Sequence, residues 1–371
     1  MNQKLIRNIA IIAHVDHGKT TLVDQFFKQS GMYRDNQTMT ERLMDSMDLE
    51  RERGITIAAK NGSFRYGQYV INIIDTPGHA DFGGQVERVL RMADGCLLLV
   101  DAQEGPMPQT YFVLKKALAI PLPVLVVINK IDKPAARPHW AVDQVFDLFV
   151  KLEAPDELLD FPVVFASGKG GYAHDDAEDS VEGASMVPLF EKIITHIPPP
   201  PGDPKDVLQF QVNTIDYSAY LGKLGIGKVI NGTMNINQNV AVAKRDASLS
   251  PARITKIFRF ERDQKVPIET ASAGEIVAVA GMDDITVGVT FTDPDDPRPL
   301  PLIQIDQPTV AMHFIPNDSP FAGQESQFVT CSHLEERLFR ETLADVALSV
   351  ECLGAGAGFK VSGRGELHLS I

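Results

Sequence analysis

Cysteine is scarce and scattered in this chain. Cys96, Cys331 and Cys352 are the three among 371 residues. Their spacing fits neither a disulfide framework nor a zinc cluster, so reduced, partly buried thiols are expected. No apolar run approaches the roughly 20 residues that cross a bilayer, which excludes a membrane-spanning helix from the expectation. Lys4 and Arg7 precede only a short apolar stretch before His14 and Asp16, too little for a secretory leader. Positive charge is also short: 35 Lys and Arg stand against 49 Asp and Glu, a formal net charge of -14. That field repels phosphate and excludes indiscriminate nucleic-acid binding, though not local basic contacts. A cytoplasmic protein is expected.

What is present is ordinary globular material: 44% hydrophobic and 23% charged residues, enough for several cores and two or three domains. Residues 1–200 alternate buried-strand patterns (6–13, 69–75, 95–101, 123–129 and 162–166) with helical ones (86–92, 110–118, 141–152 and 187–196). That order predicts an α/β domain with a parallel sheet covered on both faces. Pro198-Pro199-Pro200-Pro201 cannot continue a helix and marks a boundary. Residues 205–300 read as short alternating strands with glycine turns, among them one over 253–260, which predicts an antiparallel β-barrel. The run from Arg253 to Arg262 interleaves cations with Phe258 and Phe260 and reads as a strand with one solvated charged face. Residues 305–371 follow a β-α-β-β-α order, predicting an incomplete, truncated ferredoxin-like α+β domain. The acidic stretch 175–179 reads as a solvated loop.

The chemistry lies in five short elements, each at the expected end of a strand. Ala13-His14-Val15-Asp16-His17-Gly18-Lys19-Thr20-Thr21 follows an apolar strand and opens a helix, the setting of a phosphate loop. Its first position lacks the usual glycine, and Ala13 adds only a methyl. The amides of residues 15–21 would surround the β-phosphate at a helix N-terminus. Lys19 would reach the β- and γ-phosphates and the Thr20 hydroxyl would bind Mg²⁺. Asp75-Thr76-Pro77-Gly78-His79 places a carboxylate near that ion through a water, and Gly78 lets its amide approach the γ-phosphate.

Asn129-Lys130-Ile131-Asp132 supplies base selection. Asp132 can accept from guanine N1–H and the exocyclic amine, a donor pair adenine lacks. Asn129 would bind the base edge and tie the two loops together, with Lys130 along one base face. Amides of Ser167-Gly168-Lys169 could face guanine O6, with Lys169 over the other face. Between these, Thr56 in the segment 51–57 would bind Mg²⁺ and the γ-phosphate as a switch. The reaction class is attack of water on the γ-phosphate of GTP.

These motifs resemble the translational GTPases, the group of elongation factors Tu and G. The stretches 44–54, 80–88, 105–110 and 361–370 resemble the BipA (TypA) branch in particular, across essentially the whole chain. The resemblance implies that His79 positions the attacking water once a ribosome orders the site. It also implies that Val15 and Ile55 gate His79, and that Asp16 helps bind a monovalent cation. It further implies GTP, GDP and Mg²⁺ as ligands, and a monomer whose partners are rRNA, ribosomal proteins and tRNA, with no membrane. A role in large-subunit assembly and in translation under stress or cold is implied too. Three alternatives stay open: a nucleotide-gated module whose occupancy matters rather than hydrolysis, a translocation or ribosome-protection factor, and a P-loop kinase.

Overall fold

The computed structural model describes residues 2–30, 50, 56–179, 181–218, 220–282, 285–303, 307–317, 319–321, 324, 328, 330–345, 347–354 and 356–371. Ile55, Arg51–Gly54 and residues 44–49, invoked above, lie outside them.

The first group of elements runs β1 (Ile6–Ala13), α1 (Lys19–Gln29), β2 (Lys60–Tyr66), β3 (Tyr69–Asp75), α2 (Gly83–Leu90), β4 (Gly95–Asp101), α3 (Pro108–Ala119), β5 (Val124–Asn129), α4 (Pro138–Lys151), β6 (Val163–Ser167), β7 (Tyr172–His174) and α5 (Val187–His196). The strands form one sheet in the order β2-β3-β1-β4-β5-β6-β7. β3, β1, β4, β5 and β6 are mutually parallel, and β2 and β7 run antiparallel at the edges. Strands buried on both faces must be apolar throughout rather than alternating. β1 shows the consequence: Ile9, Ile11 and Ala13 join one core, Ala10 and Ile12 the other. Leu97 and Leu99 of β4 likewise oppose Cys96, Leu98 and Val100. Burial pushes the Cys96 thiol up to about 12, so it stays a packing group.

The second group runs β8 (Gln209–Ser218), β9 (Gly222–Asn231), β10 (Thr233–Asn235), β11 (Asn239–Ala243), β12 (Leu249–Arg253), β13 (Lys256–Glu261), β14 (Gln264–Ile268), β15 (Thr270–Ser272), β16 (Ile276–Ala280) and β17 (Thr290–Thr292). Eight of these pair antiparallel in the order β12-β11-β17-β8-β9-β16-β13-β14, around a core that includes Phe210, Val229, Val279 and Phe291.

Two expectations need correction here. The predicted strand 253–260 is two strands broken at Ile254–Thr255, because β12 pairs with β11 while β13 turns to pair with β14 and β16. The charged face is solvated only in part: Arg253 and Lys256 are exposed, and the other charged residues of the segment are half-buried. Phe260 is buried with Ile226, Ile276 and Ala278 in the same core as Val86, Leu90 and Leu98 of the first domain. Arg259 is spent on Glu275 at 2.6 Å, and Ser63 of β2 bonds Arg262 and Phe260 main chain. The basic run is the seam between two domains.

A buried polar network closes that seam. Asn8 donates to Asp94 Oδ2 at 2.7 Å and to Gly274 O at 3.0 Å, and accepts from Asn72 at 2.7 Å. Lys228 pairs with Asp94, each side chain about one-twentieth exposed. Charges this deep hold only while paired, since removing one partner of such a pair costs about 3–5 kcal/mol.

The third group has β18 (Val310–Phe314), α6 (Cys331–Ala344), β19 (Ser349–Cys352), β20 (Phe359–Gly363) and α7 (Glu366–Ser370), with β20 central in the sheet β18-β20-β19. Leu338, Phe359, Val361 and Leu369 are its buried core. It packs toward α2: Gln85 Nε2 donates to Asp345 Oδ2 at 3.0 Å, and His368 Nε2 lies 2.9 Å from the same oxygen. A cavity of about 360 Å³, bounded in part by Phe82, Arg88, Leu338 and His368, remains in this junction.

Candidate nucleotide site

Five parallel strands deliver their carboxyl ends to one edge of the sheet, the place where open α/β sheets bind ligands. Those ends are Ala13, Asp75, Asp101, Asn129 and Ser167. In register, Ile11 lies opposite Asp75, Asp101 opposite Asn129, and Asn129 opposite Ala166.

The loop between β1 and α1 reverses through two left-handed residues, Asp16 (φ 65°) and Gly18 (φ 91°). Only glycine fits at Gly18, where a Cβ would lie 2.6 Å from Asn129 Nδ2. No side chain caps α1 at Gly18, and a helix N-terminus is where a phosphate cradle places its amides. Lys19 Nζ donates to Thr76 O at 2.5 Å and lies 2.8 Å from Asp75 Oδ1. Thr76 Oγ1 in turn donates to Ile11 O at 2.6 Å, locking the second loop to β1. Gly78 sits against the same strand end, a Cβ there being 2.8 Å from Ala13 O, and Val15 N donates to Gln109 Oε1 at 3.4 Å. Thr20 and Thr21 open α1.

The residues expected to select the base are brought together from three loops. Asn129 Nδ2 donates to His17 O at 2.8 Å and its Oδ1 accepts from Gly168 N at 2.9 Å. One amide thus ties the phosphate loop to the Ser167 loop. Ser167 Oγ donates to Asp132 Oδ1 at 2.6 Å and accepts from Gly170 N at 2.9 Å. Asp132 and Lys169 are exposed. Lys130, itself left-handed (φ 62°), donates to Asp16 O and lies 2.9 Å from Asp101 Oδ2.

Asp101 is a residue of this site that the sequence motifs leave out. Burial opposes its ionisation, but hydrogen bonds from Lys130, the Gln103 amide and Lys133 outweigh this and hold its carboxyl down to about 2. The signal exists: 95–100 is an apolar strand ending in an acid, like the strand ending at Asp75. Ser167 Oγ, Thr76 and Gln109 escape for a different reason, since their partners lie 35, 65 and 94 residues away.

His79 is one-third exposed. Its Nδ1 accepts from Asp81 N at 3.2 Å and lies 3.3 Å from Asp81 Oδ1. Thr56 is buried, and the amides of the next two residues, Ile57 and Ala58, donate to Glu50 Oε1 at 3.0 and 3.3 Å. Among the described residues no group of three His, Cys, Asp or Glu could hold a metal by itself. Asp75 and a threonine beside a phosphate cradle do fit Mg²⁺, which keeps several waters and takes phosphate oxygens as ligands.

His17 is wholly buried beside His14, ring centroids 5.2 Å apart. Burial, then the His14 charge, pulls its pKa from 6.5 down to about 4. The native state refuses a proton that the unfolded chain accepts below pH 6.5, so stability falls as pH drops from 6.5 toward 4. The full window of about 2.5 units corresponds to about 3 kcal/mol. Urea unfolding followed from pH 7 to 4 should steepen in this window and flatten in His17→Gln. Parallel curves would show that His17 is not the group responsible.

Comparison with known proteins agrees with this geometry. Residues 4–199, more than half of the chain, match the elongation factor Tu GTP-binding domain, and residues 222–292 match elongation factor Tu domain 2. The chain is 57% identical over 366 residues to the large ribosomal subunit assembly factor BipA of Synechocystis, 54% to that of Bacillus subtilis and 50% to that of Escherichia coli K12. Each match covers 99% of this chain and 60–61% of the relative, so the chain spans about three-fifths of the length of these proteins. A crystal structure of a protein from Thermus thermophilus superposes with a TM-score of 0.72 at 17% identity, over 99% of this chain and 65% of that one, and shares the fold. No helix among the described residues is long and apolar enough to cross a membrane. With both elongation factor Tu domains matched in order along its sequence, the chain belongs to the elongation factor Tu-type translational GTPases and is similar throughout its length to the BipA branch.

Proposed function

We propose that this chain hydrolyses GTP to GDP and phosphate as a ribosome-responsive switch, in the service of large-subunit assembly. One observation carries most of this reading: Asn129 joins the phosphate loop to the Ser167 loop, while Ser167 holds Asp132. That arrangement presents a fixed carboxylate to a purine edge. Lys19 and the α1 amides would hold the β- and γ-phosphates, and Asn129, Lys130, Asp132, Ser167, Gly168 and Lys169 the guanine. Thr20, Thr56 and Asp75 would hold Mg²⁺, which neutralises charge on the phosphates when bound. Asp16 would contribute to a monovalent-cation site and Val15 would restrain His79. His79 orients the attacking water. RNA and protein of the ribosome, with tRNA a further contact, would order the site, and the protein acts as a cytoplasmic monomer.

GTP turnover measured alone and with separated ribosomal subunits tests the reading. Slow intrinsic hydrolysis that rises steeply with large subunits supports it. Turnover indifferent to either subunit, or equal use of ATP, overturns it.

A further inference from the structure

Asp81 stands between the candidate catalytic histidine and the third domain, and it contacts both through separate atoms. Toward His79 it offers Nδ1 two partners: its own amide at 3.2 Å and carboxylate Oδ1 at 3.3 Å. Toward the third domain, Oδ2 accepts from Leu367 N at 2.9 Å and His368 N at 3.4 Å. The two partners at Nδ1 are not equivalent. If the amide donates to Nδ1, the neutral ring carries its proton on Nε2 and can only donate there. If Nδ1–H donates to the carboxylate, Nε2 becomes an acceptor, as needed to draw a proton from an attacking water.

Gly365 makes this contact possible. Its backbone is extended (φ -166°), so alanine is conformationally free there. A Cβ, however, would lie 2.1 Å from Asp81 Cγ and 2.3 Å from both carboxylate oxygens. Alanine at 365 and the carboxylate cannot share this position. The surrounding junction holds the 360 Å³ cavity, and polar contacts bridge the two domains beside it. Phe82, next to Asp81, meets the His368 ring edge-on at 5.6 Å.

We infer that Asp81 is a positioning residue that sets the tautomer and orientation of His79, and that docking of the third domain fixes Asp81 through Leu367, His368 and the gap at Gly365. The inference rests on the reading of His79 as the water-orienting group. The third domain thereby becomes part of the hydrolytic machinery without touching nucleotide.

The test reads His79 directly and reads turnover separately. In ¹⁵N-histidine-labelled protein, the resonances lost in His79→Ala identify that imidazole. Gly365→Ala, on the other domain, is expected to shift the His79 ring nitrogens in the same direction as Asp81→Ala. Each variant should lower kcat for GTP with ribosomes present by about 10- to 100-fold, the scale of a misplaced catalytic group, with GDP affinity unchanged. The double variant should be no slower than the worse single one, because both break one link. Asp81→Asn keeps the bulk and an acceptor for Leu367, guards against misfolding, and should lose less than Asp81→Ala. Unmoved His79 signals in Gly365→Ala, or losses that multiply in the double variant, overturn the inference. Full turnover in Asp81→Ala and Gly365→Ala beside a collapse in His79→Ala overturns the link alone. Full turnover in His79→Ala overturns the reading of His79, and the link with it.

Discussion

Asp132→Asn should lower the affinity for GDP and GTP by about 10⁴-fold or more, while xanthine nucleotides begin to bind. The carboxylate offers only acceptors, matched to guanine N1–H and its amine. A carboxamide puts an N–H₂ where one of those acceptors was, so donor meets donor. Sites built on such hydrogen bonds reject the mismatched partner by roughly 10⁴–10⁵. Xanthine carries a carbonyl in place of the amine and restores the match. The fold is expected to tolerate the change, because Asp132 is exposed and its bond within the protein is to Ser167 Oγ, which an amide oxygen can equally accept. Calorimetry with GDP, ADP and xanthosine diphosphate measures the effect. Undiminished GDP binding would remove Asp132 from the base pocket, and with it the account of guanine selection.

Much of the nucleotide domain is legible in sequence for a plain physical reason. Strands buried on both faces are continuous apolar runs, and 6–13, 69–75 and 95–101 coincide with β1, β3 and β4. Their carboxyl ends then place the loops on one edge. What escapes is whatever depends on a distant partner. β2 begins Lys60-Asn61-Gly62-Ser63, too polar for an apolar-strand pattern, yet Asn61 and Ser63 are buried. Ser63 is tolerated there because its amide and hydroxyl bond the main chain of the barrel while β2 pairs with β3. The Ser167–Asp132 bond depends on β5 and β6 lying side by side, which no local pattern states. Asp101 is a single acid at a strand end, and only the lysines converging on it, Lys130 and Lys133, give it meaning. The seam at Phe260 escapes because alternating charge and aromatics describe a solvated strand and an interdomain strand equally well.

His79→Ala should lower ribosome-stimulated kcat by about 10²–10⁴, the usual worth of a positioned proton-handling side chain, and leave GDP affinity unchanged. The separation follows from where the residue sits. His79 is one-third exposed and its hydrogen-bond and ring contacts among the described residues are with Asp81 and Phe82; neither belongs to the phosphate cradle or to the base loops. On the proposed role, removing it takes away an interaction with the attacking water rather than with bound nucleotide, and the loss falls on kcat. Lys19→Ala provides the contrast. Lys19 joins Thr76 O and Asp75 across the cradle, so its loss strips a charge from the phosphates and a cation from Asp75, and binding and turnover fall together. His79→Gln should lie between, since a carboxamide can orient water but accepts a proton poorly. Filter binding for GDP beside single-turnover hydrolysis separates the two effects. If His79→Ala weakens GDP binding as much as it slows hydrolysis, the histidine supports the nucleotide pocket rather than the chemical step.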